Sequence, residues 1–433
     1  MNWFSKLMGR GEPEYDAAEG TMVFGSPRAS IESDRGNLPS FRNPAGRITR
    51  RFARAGAQDA RALIRDAFTP SQPVNERAMF AGRRELLESL IVAIEDQRLH
   101  FVLYGDRGIG KTSILHVLSD LATDADYLMC YISCGDRMTF SDFARRIAQR
   151  IPLLFHSGYA PGSVEIEKGM HLADVLPPGE VDVSTFGEML GKLSDTRVLM
   201  LLDEFDRVET DEFRRSIAEL IKSLSDRAAP AQVVIAGVAP DLAELIAQIP
   251  SIRRNVLGVL VPNMTDGEVG EMLSIAERRT GLTFSEEARE LIGLASLGLP
   301  YLVGLVAQHA ALLATDRGEL SVSKADVREA IRKSRTELSG RIAARTLHAI
   351  SRAAQDDQLI ELGKLAHAAL RAGGVLPEEM VPKALRDAAD GGGLSSDLIE
   401  PIEGDPLGRW HFADDGASIY IWLSALCAES PRV

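Results

Sequence analysis

YGDRGIGKTS, residues 104–113, decides the fold. From Gly105 to Thr112 it satisfies the spacing G-x-x-x-x-G-K-[ST] at every fixed position. The chemistry that needs this spacing is polyphosphate binding. Glycines let the backbone turn its N–H groups inward, and a helix starting at the loop adds positive potential. Lys111 can then reach the β- and γ-phosphates, and the Thr112 hydroxyl can ligate Mg2+. The expected site is Gly105, Asp106, Arg107, Gly108, Ile109, Gly110, Lys111, Thr112 and Ser113, with ATP or ADP and Mg2+ as cofactors.

The flanks agree. The apolar run HFVLY (100–104) enters the loop, and TSILHVLSDLA leaves it with helical periodicity. Four more short apolar runs follow: YLMCYISC (127–134), RVLMLLD (197–203), QVVIAGV (232–238) and VLGVLV (256–261). Continuous apolar strands alternating with helices predict a parallel sheet covered on both faces. RVLMLLDE ends in two acids. Asp203 is placed to hold Mg2+ through water, and Glu204 to orient or deprotonate an attacking water. Read alone, the same acids would only cap a helix after a buried strand. Lys111 and Glu204 are the candidate catalytic residues; Thr112 and Asp203 are the candidate metal ligands.

With 433 residues, the chain is long enough for two to four domains. No apolar run approaches the roughly 20 residues that span a bilayer. Three cysteines argue against a disulfide framework, so a cytoplasmic location is expected. Cys130 and Cys134 read as buried strand residues. A net charge of −13 opposes a general nucleic-acid coat. Residues 1–72 nevertheless read as a flexible basic arm. Seven arginines (42, 47, 50, 51, 54, 61 and 65) face only Asp59 between residues 41 and 65. Such an arm suits DNA, acidic lipid or an acidic partner, or is simply solvated. Within it, Trp3, Phe4, Leu7 and Met8 would give residues 1–10 a peripheral membrane face or a docking face. Ala60, Leu63, Ile64, Ala67 and Phe68 form a helical stripe before Pro70.

Residues 73–265 are expected to form the nucleotide core, with a surface excursion over about 155–185. From 266 to 340, helices follow one another, with Thr265 or Asp266, Ser285, and Ser321 or Ser323 as caps. Residues 341–433 give helices near 341–354, 357–371 and 377–389. The strands LIEPIE (398–403) and RWHFA (409–413) and a closing helix complete a winged-helix pattern. Trp410, Phe412, Tyr420 and Trp422 read as its core, and His100 and His116 as packing or surface residues.

LLDEFDRV, the entry FAGRREL (80–86) and VVIAGVAPDL resemble the AAA+ and STAND-type P-loop ATPases, in their archaeal-type, origin-recognition-like branch. The resemblance covers about residues 76 to 430. It implies an α/β fold: a P-loop NTPase parallel sheet covered by helices, then a helical lid and a C-terminal winged helix. It places Arg83 near the nucleotide. The lid stretch Gly298-Leu-Pro300-Tyr301 looks like the G-x-P motif of STAND switches, which would set Pro300 against the nucleotide; proline is also favoured in a helix's first turn. The sensor asparagine of origin-recognition-like relatives is missing or moved in Gly237-Val-Ala-Pro240-Asp241, and Gly298-Leu-Pro300-Tyr301 stands where those relatives carry a lid arginine at the γ-phosphate. Arg253 and Arg254 are either a candidate arginine finger or surface charge.

A site without those polar sensors turns over slowly. The expectation is therefore a regulatory switch ATPase whose nucleotide state controls self-assembly or contact with a protein partner. The alternative is a DNA-binding loader or target-selection ATPase. The helix after Gly374 opposes it: Lys383 and Arg386 stand among Glu378, Glu379, Asp387 and Asp390.

Overall fold

A computed structural model describes residues 57–159, 162–239, 254–355, 358–383, 385–386, 397–402, 405, 407–414 and 416–429. Residues 1–56, with most of the basic arm, lie outside them, as do Pro240, Asp241 and Arg253.

Helix α1 (Ala57–Ala67) precedes α2 (Arg84–Val92) and β1 (His100–Gly105). Then come α3 (Lys111–Asp124), β2 (Leu128–Ser133), α4 (Phe140–Ala148), α5 (Val183–Gly191), β3 (Val198–Asp203), α6 (Asp211–Asp226), β4 (Ala231–Val238) and β5 (Val256–Leu260). The five strands form one parallel sheet in the order β2-β3-β4-β1-β5. Alternation divides their side chains between two cores. Phe101, Leu103, Leu199 and Leu201 enter one; Val102, Tyr104, Met200 and Leu202 enter the other. Arg98, Asp126, Asp195 and Ala228, all with positive φ, stand just before β1 to β4. A left-handed residue at that point ends a helix and redirects the chain into the sheet.

The segment from 155 to 185 is more than a surface excursion. Leu172, Leu176, Val181 and the following Phe186 are buried in the second core. Their spacing follows one-turn helices, so no long periodicity announces them.

The lid contains α7 (Asp266–Thr280), α8 (Glu286–Ser296), α9 (Pro300–Asp316) and α10 (Lys324–Ser339). Short strands β6 (Thr283–Phe284) and β7 (Ser321–Val322) join them. Thr265, Ser285 and Ser323 cap α7, α8 and α10 through their hydroxyls. Helix α1 docks on this lid. Ile64 and Phe68 are buried, Arg61 meets Asp316, and Phe68 packs edge-on against Phe284.

Helices α11 (Ala344–Gln355) and α12 (Leu359–Arg371), strands β8 (Val375–Leu376), β9 (Ile399–Pro401) and β10 (Trp410–Phe412), and helix α13 (Ala417–Glu429) follow. The strands form an antiparallel sheet in the order β8-β10-β9. β8 is too short to register as a strand pattern. The helix expected from residue 377 begins later, after a 3-10 turn at Glu378–Met380, because Pro382 cannot donate into a continuing helix. Trp410, Phe412 and Trp422 are buried, and Trp422 Nε1 donates to Ala295 O of α8 at 3.0 Å. Lid, closing helix and one face of the sheet thus share a single apolar core.

Candidate functional site

The loop from Gly105 to Gly110 joins β1 to α3 at the C-terminal edge of the sheet. Gly105, Gly108 and Gly110 have φ of 139°, 78° and 93°, a region that side chains rarely adopt. Ile109 is buried and anchors the loop; Arg107 and Gly108 are exposed. Lys111 Nζ donates to the carbonyls of Gly105 and Asp106, both at 2.8 Å. Burial lowers its pKa to about 8, against the pull of Asp206, Asp106 and Asp203. Burial likewise raises Asp106 to about 6, opposed by Lys111. Thr112 is half-buried at the start of α3. Ser113 turns elsewhere: its Oγ accepts the Val74 N–H at 3.0 Å.

Across from the loop, β3 ends at Asp203, which is buried. Its Oδ2 accepts from the Tyr131 hydroxyl at 2.7 Å and its Oδ1 from the Glu204 N–H at 2.9 Å. Glu204 has φ 55°, which swings its side chain off the strand direction. Its carboxylate accepts from Ser133 Oγ at 2.8 Å and from Arg207 at 3.0 Å. Asp206 accepts the Val238 N–H at 2.8 Å, tying the turn after β3 to the end of β4. Tyr131, Ser133, Arg207 and Asp206 carry no motif signal. Only the pairing of β2 with β3 could have disclosed the first two.

Arg83 and Pro300 come together at the loop. A Cβ on Gly110 would stand 3.0 Å from Arg83 Nη1 and 3.8 Å from Pro300 Cγ. Arg83 is buried, and burial lowers its pKa to about 10. Its Nη2 donates to Pro262 O at 3.1 Å, while its Nε is buried without a partner. Tyr301 covers Gly108: a Cβ there would lie 3.1 Å from Tyr301 Cβ, and the Tyr301 N–H points to Gly108 O at 3.4 Å. The winged helix reaches the same loop, since a Cβ on Gly374 would stand 3.2 Å from Asp106 Oδ1. Asn263 Nδ2 bridges Leu297 O (3.0 Å) and Leu370 O (3.2 Å), one carbonyl from each unit.

Arg254 is exposed just before β5, whose Val256 pairs with His100. It therefore sits at the sheet edge opposite its own loop; strand β1 rises about 17 Å from His100 to Gly105. Arg386 is tied to Glu378 at 2.6 Å. His100 is buried and accepts the Val233 N–H.

These residues fit a nucleotide. A buried ammonium spends its donors on loop carbonyls, and the Arg83 guanidinium, which approaches Gly110 through Nη1, has its Nε buried without a partner. Among the described residues, no cluster of three His, Cys, Asp or Glu side chains could hold a metal alone. Mg2+, which is ordinarily held by one or two protein oxygens plus phosphate, suits Thr112 and Asp203.

A family model described as Novel STAND NTPase 1 matches residues 67–363. No curated protein matches the chain. Among solved structures, the Walker-type ATPase of Pyrococcus abyssi is similar over 81% of this chain and 98% of its own, at 14% identity and a TM-score of 0.47. Cdc6p from Pyrobaculum aerophilum matches over 85% and 99%, at 14% and 0.43. The Aeropyrum pernix ORC1 protein, solved in complex with DNA, matches over 84% and 96%, at 15% and 0.42.

Proposed function

The chain belongs to the Novel STAND NTPase 1 family, and from that premise we propose that it is a slow ATP-hydrolysing switch. The nucleotide would set whether its lid and winged helix stay closed on the phosphate loop. One observation carries this reading. The entry segment (Arg83), the lid (Pro300, Tyr301) and the winged helix (Gly374) all meet the same six-residue loop. A ligand that displaces any part of the loop acts on all three.

In this proposal Lys111 exchanges its two loop carbonyls for phosphate oxygens, and backbone N–H groups of the loop and of the start of α3 would take the rest of the charge. Thr112 and Asp203 would hold Mg2+, which supplies charge neutralisation on the phosphates. Arg83 approaches Gly110 from the entry side through Nη1. Glu204 would orient the attacking water against the hold of Ser133 and Arg207 on its Oε2. Among the described residues, β4 ends at Val238 and is followed by Ala239, so its end presents no polar side chain to the developing charge. Each absent donor costs a few kcal/mol of barrier lowering. Both features favour slow turnover. Arg254, placed away from its own loop, is suited only to the site of a second copy.

The test is binding and hydrolysis of ATP by the full chain and by Lys111→Ala, with mass in solution measured under ADP, ATP and no nucleotide. Tight, Lys111-dependent binding and a mass that follows the nucleotide are expected. A protein that neither binds nor hydrolyses ATP, and that Lys111→Ala leaves unchanged, would sink the proposal.

A further inference from the structure

β2 is an edge strand of the main sheet, and its residues alternate between the two cores. Cys130 and Ile132 enter the second core. Tyr131 and Ser133 share the other face, two residues apart. The register pairs Tyr131 with Leu201 and Ser133 with Asp203. One face of one strand thus presents two hydroxyls to two consecutive acids. Tyr131 donates to Asp203 Oδ2 at 2.7 Å, and Ser133 donates to Glu204 Oε2 at 2.8 Å.

The two acids are held differently. Glu204 is about half exposed and shares its carboxylate with Arg207, so a change of solvent or ligand can release it. Asp203 is buried, and each of its oxygens has one protein donor, Tyr131 on one side and the Glu204 N–H on the other. Its torsion is fixed, while every carboxylate oxygen keeps a further lone pair. The phenol is itself braced. The ring of His116, from the phosphate-loop helix α3, lies 5.3 Å from the Tyr131 ring at 56°. His116 Nδ1 in turn meets Asn75 Oδ1 in the entry segment. Phenylalanine would fill the same space, so the hydroxyl is the part of Tyr131 that packing does not require.

We propose that Tyr131 is a positioning residue whose hydroxyl sets the Asp203 carboxylate for the Mg2+ of a bound Mg–nucleotide. The inference rests on reading Asp203 as the metal-facing acid. Mg2+ demands near-octahedral geometry at about 2.0–2.1 Å, so a carboxylate free to rotate loses affinity for it. Partners that orient a metal's ligands are worth roughly 10–100-fold in metal affinity. The bracing by His116 and Asn75 links this orientation to the helix that starts at the phosphate loop.

The experiment is equilibrium binding of a fluorescent ADP to the full chain, titrated with Mg2+ and repeated in EDTA. In Tyr131→Phe the Mg2+ midpoint is expected to rise roughly tenfold while metal-free ADP affinity stays at the wild-type value. In an Asp203→Asn background, Tyr131→Phe is expected to add no further shift. Equal losses with and without metal, an unchanged midpoint, or a Tyr131→Phe protein that does not fold would each make the hydroxyl structural and overturn the proposal. Wild-type ADP binding that ignores Mg2+ would instead overturn the reading of Asp203 beneath it.

Discussion

Arg341 Nη1 donates to the Tyr301 hydroxyl at 2.9 Å. Arg341 lies in the linker between the last lid helix and the first winged-helix helix, and Tyr301 is the residue that covers Gly108 of the phosphate loop. Loop and linker are therefore separated by one side chain. Arg341 is half exposed and also pairs with Glu337, so the bond is worth on the order of 1 kcal/mol or less. Tyr301→Phe is expected to leave the fold intact and to speed hydrogen exchange in α11 and α12 several-fold. Unchanged exchange in those helices would show that the linker does not feel the loop.

Gly374 has φ +81° and lies against Asp106. A valine there would be strained and would press on the Asp106 carboxylate. The wing should lift from the loop, and bound ADP should leave roughly ten times faster if about 1.4 kcal/mol of closure is lost. Stopped-flow release of a fluorescent ADP from Gly374→Val measures this. An unaltered release rate in a folded variant would separate the wing from nucleotide exchange.

A Cβ on Gly298 would stand 2.1 Å from the carbonyl oxygen of Met264, and Gly298 has φ +75°. Gly298→Ala must therefore move the backbone that joins β5 to the lid. Loss of several degrees in melting temperature is expected, consistent with strain of about 1–3 kcal/mol or more. A melting curve that overlays the wild type would show that this approach is looser than the geometry indicates.

Ser133→Ala removes one of the two side-chain donors that hold Glu204, and Glu204→Gln removes the acid itself. Steady-state hydrolysis is expected to rise a few-fold in the first and to fall at least a hundredfold in the second. If Ser133→Ala slows turnover as much as Glu204→Gln, the serine orients the acid for reaction instead of restraining it.

Burial lowers the His100 pKa to about 4 from the ordinary 6.5 of an imidazole. The unfolded chain therefore takes up a proton near pH 6.5 that the folded protein refuses until about pH 4. The sign follows: the unfolded state binds more protons in this window, so stability falls as pH drops from 6.5 to 4, by up to a few kcal/mol. Urea unfolding at pH 7.5, 6 and 5 should show a shallower decline in His100→Gln than in wild type. Parallel declines would mean that other groups carry the acid sensitivity.

Much of the site was legible before the fold. The loop is read from spacing alone, because glycine conformation, lysine reach and helix start all belong to one local turn. The strand runs that became β1 to β5 are read from continuous apolar burial. Pro300 and Arg83 were placed near the nucleotide by resemblance, and the structure brings both to Gly110. Ser113 was expected at the phosphates, yet its hydroxyl holds Val74, a partner that its position on α3 could not disclose. Tyr131 and Asp206 were not legible either. A phenol inside an apolar strand looks like packing until the register sets it beside Asp203.

The sequence by itself determined the backbone devices: a polyphosphate turn, buried strands, capped helices and an acidic strand end, each encoded within a few residues by local sterics and periodicity. The tertiary structure alone decided which distant groups meet there, Tyr301 over Gly108, Gly374 against Asp106 and Tyr131 on Asp203. Those meetings depend on how helices and strands pack their apolar faces. Such packing joins residues whose separation along the chain leaves no local pattern to read.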